Sequence, residues 1–212
     1  MKVTKLEHSC LIVEAADRSV IVDPGSMTTA VVGVSNAVAV VITHEHADHW
    51  TAEQLTRILD LSPDARIFGP AGVVAAASAF EVTAVADGDE HEVGPFTLRF
   101  FGGKHAVIHP SIPVVDNIGV LINDELYYAG DSFTIPQGMT VGTLAVPASA
   151  PWMKISEAMD YVLAVKPRRS FPVHEMLLST AGKSLSNTRI KDVTEAGGGE
   201  FFALQPNESI DL

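Results

Sequence analysis

At 212 residues, with 47% hydrophobic and 19% charged residues, the chain has the composition of a soluble globular protein with room for a sizeable core. Its net charge of −12 argues against a nucleic-acid partner, because such proteins neutralise phosphates with Lys and Arg, and the only adjacent basic pair is Arg168-Arg169. No apolar run reaches the roughly 20 residues of a membrane-spanning helix, Met1 to His8 alternates like a strand and lacks a signal-peptide core, and a single cysteine excludes an internal disulfide. The expectation is a cytoplasmic protein with no membrane partner, in which Cys10 is a small buried hydrophobe.

From the N-terminus, Val3 to Glu7, Leu11 to Ala15 and Ser19 to Val22 are short β-favouring runs, the last two joined by a polar turn at Asp17-Arg18. Asp23-Pro24-Gly25 breaks the pattern. Val38 to Thr43 reads as a buried strand. Thr51, with Gln54 three residues on, is a capping-box signature. Leu55, Ile58 and Leu59 then recur at helical spacing until Ser62-Pro63 stops them. Ala65 to Phe68 is a strand, Gly72 to Phe80 an Ala-rich helix, and Val82 to Val85 a strand. Phe96 to Phe101 is a strand ending at Gly102-Gly103, and a loop with several prolines runs from Ala106 to Asp116. Ile118 to Ile122 and Leu126 to Ala129 form a hairpin across Asn123-Asp124. Leu144 to Val146 is a strand stopped by Pro147, Ile155 to Val165 an amphipathic helix, and Ser170 to Val173 a strand ending at His174. A helix around Ile190 to Ala196 ends at Gly197-Gly198-Gly199, and Phe201 to Leu204 is a closing strand. Strands first, then βα units, then a second similar set predict an α/β fold of two sheets with helices outside. No linker divides residues 1–212, so one domain is expected.

The stretch from Val40 to His49 carries the most chemistry. An apolar run delivers His44, His46, Asp48 and His49 into one turn, and three of the chain's eight histidines fall within it. Zinc takes imidazole nitrogen and carboxylate oxygen at about 2.0–2.2 Å. His44 and His46 are two apart, so in extended backbone they point to the same side and can grip one ion. Asp48 and His49 follow the strand, where the chain can turn and aim them at a second ion. Glu45 and Ala47 point away. Two ions about 3.5–4 Å apart can share a water and supply hydroxide at neutral pH.

Three further metal-capable residues follow apolar strands: His105, Asp131 and His174. Strand ends converge at one rim in layered β folds, where a site can be assembled from separate segments. With the first cluster these residues complete two coordination spheres.

The order His-x-His-x-Asp-His, then His105, then Asp131 in Gly130-Asp131-Ser132, then His174, resembles the metallo-β-lactamase superfamily, and Asp23-Pro24-Gly25 is similar to its early Asp-containing turn. Leu6-Glu7-His8-Ser9-Cys10 and the stretch from Val146-Pro147 to Pro172-Val173-His174 look like its branch of small hydrolases that includes ascorbate-6-phosphate lactonase-like proteins. Where that branch often has Gly-Gly after its late proline, Ala148-Ser149-Ala150-Pro151-Trp152 stands here. The resemblance implies a four-layer αββα sandwich and a dinuclear metal-dependent hydrolase acting on an ester, lactone or phosphoester small molecule. It implies that His44, His46 and His105 hold one ion, Asp48, His49 and His174 the other, with Asp131 bridging. Asp48 and Asp131 are then the catalytic carboxylates. Zinc is the expected metal, with manganese or iron as alternatives. The same resemblance places Asp23 where it can orient a ligand histidine through a hydrogen bond.

His109, Trp152 and Lys154 are candidates for touching substrate, against a functionless loop histidine, a core tryptophan and an exposed lysine. His8 is either near the metals or structural. Lys104 is a candidate anion binder, Ser132 a partner for Asp131, and His91 a surface residue. Rival readings are a same-fold nuclease, which would need a basic tract, a mononuclear iron oxygenase, and a non-enzymatic metal-binding module. The apolar Ala30 to Val34 loop permits a homo-oligomer.

Overall fold

Strands buried on both faces need cover on both. The computed structural model describes residues 1–212. The first sheet begins with β1 (Lys2–Lys5), β2 (Leu11–Ala15), β3 (Arg18–Val22) and β4 (Ala37–Val41), and after α1 (Ala52–Leu61) continues with β5 (Arg66–Gly69), α2 (Ala71–Ala76) and β6 (Val82–Ala84). The second contains β7 (Glu90–Val93), β8 (Phe96–Phe101), β9 (Gly119–Ile122), β10 (Leu126–Tyr128), β11 (Thr143–Pro147), α3 (Ile155–Val165), β12 (Arg169–Val173), α4 (Thr180–Ala196) and β13 (Glu200–Phe201). The chain then returns to the first sheet, where β14 (Ser209–Asp211) lies antiparallel beside β1. Each sheet has seven strands, in the orders β14-β1-β2-β3-β4-β5-β6 and β13-β12-β11-β10-β9-β8-β7. Both follow one plan. An antiparallel meander leads into parallel strands, starting at the β3–β4 pair in the first sheet and at the β10–β11 pair in the second.

Ala39 and Val41 of β4 enter a core of 22 buried residues shared by the two sheets, with Val3, Val13 and Phe68 on one side and Phe96, Phe100 and Phe171 on the other. Val40 and Ile42 point the opposite way, against Leu55 and Ile58 of α1 and Val73 of α2. The second sheet repeats this: Leu144 and Val146 pack beneath Tyr161, Val162 and Ile190 of α3 and α4. The result is the expected four-layer αββα sandwich. Full burial of each such aliphatic or aromatic side chain contributes about 1.5–3 kcal/mol. No helix is long and apolar enough to cross a membrane.

Several local expectations change. Thr51 Oγ1 accepts from Gln54 N at 3.2 Å, but the Gln54 side chain does not complete a capping box. Its amide accepts from Val31 N and donates to the carbonyls of Thr28 and Thr29, because the Val31 N–H and the Thr28 carbonyl are closed off from water and need partners. The β2–β3 turn is Ala16-Asp17, both left-handed at φ 47° and 59°. β7 was not anticipated because Glu90-His91-Glu92 reads as polar. His91 is in fact half-buried, its ring 5.1 Å from that of Phe68. Helix α4 starts well before Ile190, capped by Ser179 Oγ accepting from Gly182 N; its early turns are polar because they face solvent. Of the expected closing strand, Phe201 to Leu204, only Phe201 falls in the observed strand, which is Glu200–Phe201.

Candidate metal centre

Four strand ends meet at one rim. After β4, Ile42 N still bonds to Phe68 O, so the chain leaves the sheet only at Thr43-His44. The loop then tightens, with His49 N donating to His46 O at 3.0 Å and Ser26 N to Ala47 O at 2.8 Å. Gly25 permits that approach: a Cβ there would lie 1.8 Å from the Asp48 carbonyl oxygen. After β10, Gly130 turns at φ 65°, and a Cβ on it would meet Asn117 Oδ1 at 2.3 Å and Thr43 Cβ at 2.7 Å. Only glycine fits that left-handed, crowded corner. It delivers Asp131, whose N–H donates to Asn117 Oδ1 at 2.9 Å. After β12, His174 is also left-handed (φ 60°) and its N–H donates to the His8 carbonyl at 2.9 Å.

The imidazoles are held from behind. His174 Nδ1 donates to Ser149 O at 2.6 Å, and His105 Nδ1 donates to Ala106 O. A carbonyl can only accept, so both rings carry their proton on Nδ1. His49 Nδ1 donates to Asp23 Oδ2 at 2.6 Å. Asp23 is fully buried and also accepts from Thr43 N at 2.8 Å and Thr43 Oγ1 at 2.7 Å. Having given its proton to Asp23, Thr43 Oγ1 is the acceptor for His44 Nδ1 at 3.1 Å. The Nε2 lone pairs of His44, His49, His105 and His174 are therefore left for the centre. His46 presents its other nitrogen, Nδ1, 3.0 Å from His44 Nε2.

The donors fall into groups small enough to close on an ion: His44, His46 and His105 in one, Asp48, His49 and His174 in another with His8, and His44, His49 and Asp131 between them. Asp131 Oδ1 lies 3.3 Å from His49 Nε2, and Oδ2 lies 3.4 Å from His105 Nε2 and 3.2 Å from His174 Nε2. Asp48 Oδ2 is 3.5 Å from His174 Nε2. Yet His49 Nε2, His105 Nε2, His174 Nε2 and Asp131 Oδ1 are buried with no hydrogen-bond partner. Each such atom costs about 1–3 kcal/mol when left unsatisfied. Nitrogen and carboxylate oxygen in this mixture are the donors that zinc, iron and manganese accept, so the residues fit divalent metal ions.

Electrostatics separate the donors. Burial holds His44 well below the ordinary imidazole value, helped by neighbouring His49. It also lowers His46, with His105 adding to the effect. At His49 burial acts the same way but is outweighed by Asp131 and Asp23, which raise it well above that value. His174 rises to about 9, burial again being overcome, here by the adjacent Asp131 and Asp48 carboxylates. Burial opposes ionisation of both carboxylates. The neighbouring histidines prevail, holding Asp48 and Asp131 far below the usual carboxylate range.

The remaining candidates separate. His8, left open from the sequence, is fully buried, its Nε2 3.2 Å from Asp48 Oδ2 and its ring 3.9 Å from that of His174. Trp152 is buried and donates to Asp131 Oδ2 at 2.7 Å. His109 is exposed outside the donor groups, and its Nδ1 is taken up by Ser111 within its own loop. Lys154 is exposed at the start of α3. Lys104 pairs with Asp116 at 2.7 Å. Ser132 Oγ donates to Ala129 O and lies 3.0 Å from the Thr134 hydroxyl, with no bond to Asp131. Thr43 and Asn117 escaped sequence reasoning. Thr43 is signalled only by its place before His44, and Asn117 by nothing in the local pattern.

Two face-to-face sheets with outer helices, and a His/Asp cluster where their strands end, define the metallo-β-lactamase sandwich. The sequence matches the family described as beta-lactamase superfamily domain over residues 2–174, and the chain belongs to that superfamily. It is 37% identical to Protein Rv0786c of Mycobacterium tuberculosis, over 99% of this chain and 98% of that protein. It is 28% identical to UPF0173 protein PF0020 of Pyrococcus furiosus, over 82% of this chain and 83% of that one, which supports the small branch of the superfamily. In fold it is similar to Igni18, a novel metallo hydrolase from the archaeon Ignicoccus hospitalis, with a TM-score of 0.74 at 17% identity, covering 99% of this chain and 97% of that one.

Proposed function

We propose that the chain is a cytoplasmic, dinuclear metal-dependent hydrolase of an ester, lactone or phosphoester small molecule, with zinc as its metal and manganese or iron as alternatives. The observation that supports it most strongly is the set of buried nitrogen and oxygen atoms without partners, each on a side chain anchored from its far side. Anchoring without satisfaction is the signature of a site pre-organised for something it binds. His44, His46 and His105 would hold one ion, and Asp48, His49 and His174 the other, with Asp131 between them. When bound, such ions supply Lewis acidity and a water that ionises near neutral pH. Asp131 Oδ1 faces the centre, unpaired, as a further donor atom for an ion there. Asp23 and Thr43 keep His49 and His44 in the tautomer that leaves Nε2 free. The match to the superfamily and the fold likeness to a metallo hydrolase support the same reaction class.

The test is elemental analysis of purified protein, followed by assay of lactones, phosphodiesters, thioesters and β-lactams with metal add-back. Two equivalents of metal per chain and turnover that disappears on chelation are expected, and Asp131→Ala should lose both. One iron per chain with oxygen uptake would replace the hydrolase with an oxygenase. Full metal loading of Asp131→Ala would remove that residue's bridging role.

A further inference from the structure

The segment from Ala148 to Lys154, between β11 and α3, supplies none of the proposed ligands yet reaches the site twice. Ser149 O accepts from His174 Nδ1 at 2.6 Å, and Trp152 Nε1 donates to Asp131 Oδ2 at 2.7 Å. The indole is fixed in place: its ring meets that of Phe133 edge-on at 5.1 Å and that of His105 at 6.0 Å. Asp131 Oδ2 therefore has a partner of its own, whereas Oδ1 is buried with none. A carboxylate with two free oxygens can rotate between chelating and bridging arrangements. One with an oxygen tied to a rigid N–H cannot do so without breaking that bond.

We infer that Trp152 is a positioning residue for the metal centre, fixing the rotation of the Asp131 carboxylate so that Oδ2 faces His105 and His174 while Oδ1 faces His49. This rests on the metal-dependent reading above. Partners that hydrogen-bond a metal-ligating carboxylate typically alter metal affinity by about 10–100-fold when removed. The alternative is a tryptophan that only fills space between Phe133 and His105.

Trp152→Phe keeps an aromatic ring and deletes the donor. Zinc affinity measured by competition with a chromophoric chelator should fall about 10–100-fold for at least one ion, and the visible absorption bands of the cobalt-substituted variant should shift from those of the wild type. Unchanged affinity with an identical cobalt spectrum would overturn the inference. A second measurement leaves Trp152 in place. The chain has two tryptophans, so in Trp50→Phe the emission comes from Trp152 alone. Titration with zinc should change that emission and saturate with the metal stoichiometry; an unresponsive emission in protein that has taken up zinc overturns the inference even if Trp152→Phe does not fold. Failure of the wild type to bind zinc or cobalt overturns the metal-dependent reading and this inference with it. Equal zinc affinity of wild type and Trp152→Phe, with the same cobalt spectrum, overturns the inference alone.

Discussion

The donor group of His44, His46 and His105 and the group of Asp48, His49 and His174 sit side by side but are built differently. The first is all imidazole and open on one side, since His46 is only half-buried. The second includes a carboxylate, Asp48, which is half-buried as His46 is, and two buried histidines. His49 and His174 each donate through Nδ1 to an oxygen acceptor, and His8 stands against Asp48. Two imidazoles and one carboxylate form a harder set than three imidazoles, and so suit iron or manganese better, while three imidazoles suit zinc. The difference teaches that one centre can carry two preferences, set by a single carboxylate.

Asp23 gives the sharpest way to break the comparison, because it supports both groups, His49 directly and His44 through Thr43. Asp23→Ala leaves Thr43 N–H, the Thr43 hydroxyl and His49 Nδ1 without a buried partner. The expected cost is about 3–5 kcal/mol, read by urea unfolding of the chelated protein. Loss of metal from both groups should accompany it. Loss from the Asp48 group alone would mean that Thr43 orients His44 without help.

A smaller effect comes from single ligands. His46→Ala should empty the all-imidazole group and leave one ion per chain, while His174→Ala should empty the other. Offered a mixture of zinc and manganese, wild type should place zinc preferentially in the His46 group. Elemental analysis of both variants after equilibration with the mixture checks this. The same metal ratio in His46→Ala and His174→Ala would erase the distinction between the groups.

The early run of ligands and the distant ones differ in how much of them could be read beforehand. Four candidate ligands lie in six consecutive positions, His44 to His49, so their spacing alone announced them. His105, Asp131 and His174 come from separate strand ends, and only the convergence of those ends, inferred from the strand–helix order, joined them. The sandwich was legible for the same reason: β4 and β11 are apolar on both faces and need cover on both. The supports were not legible. Asn117, Thr43 and the Ser149 carbonyl act through backbone geometry at Gly130 and at the left-handed His174, which no local pattern encodes. Trp152 could be placed near the site, but its N–H could not be assigned to Asp131 before the path of the Ala148 to Lys154 segment was seen.

The finest distinction concerns protons. In the metal-free fold His44 and His46 are lowered and hence neutral at pH 7, whereas His49 is raised and His174 reaches about 9. Metal entering the Asp48 group must displace protons from its imidazoles, and metal bound by His44 and His46 displaces none from those two. Calorimetry of His46→Ala in buffers of different ionisation enthalpy should therefore show proton release at pH 7, and affinity rising with pH up to about 9. His174→Ala should show a smaller release and a flatter pH dependence. The metal-free protein carries the opposite linkage. His174 binds its proton more tightly when folded, so its contribution to stability is fully present below an ordinary imidazole value of about 6.5. That contribution is lost as the pH rises through about 9. Chelated wild type should accordingly lose stability across that interval relative to His174→Ala, and parallel unfolding curves for the two proteins would show that the pairing of His174 with Asp48 and Asp131 carries no net charge interaction.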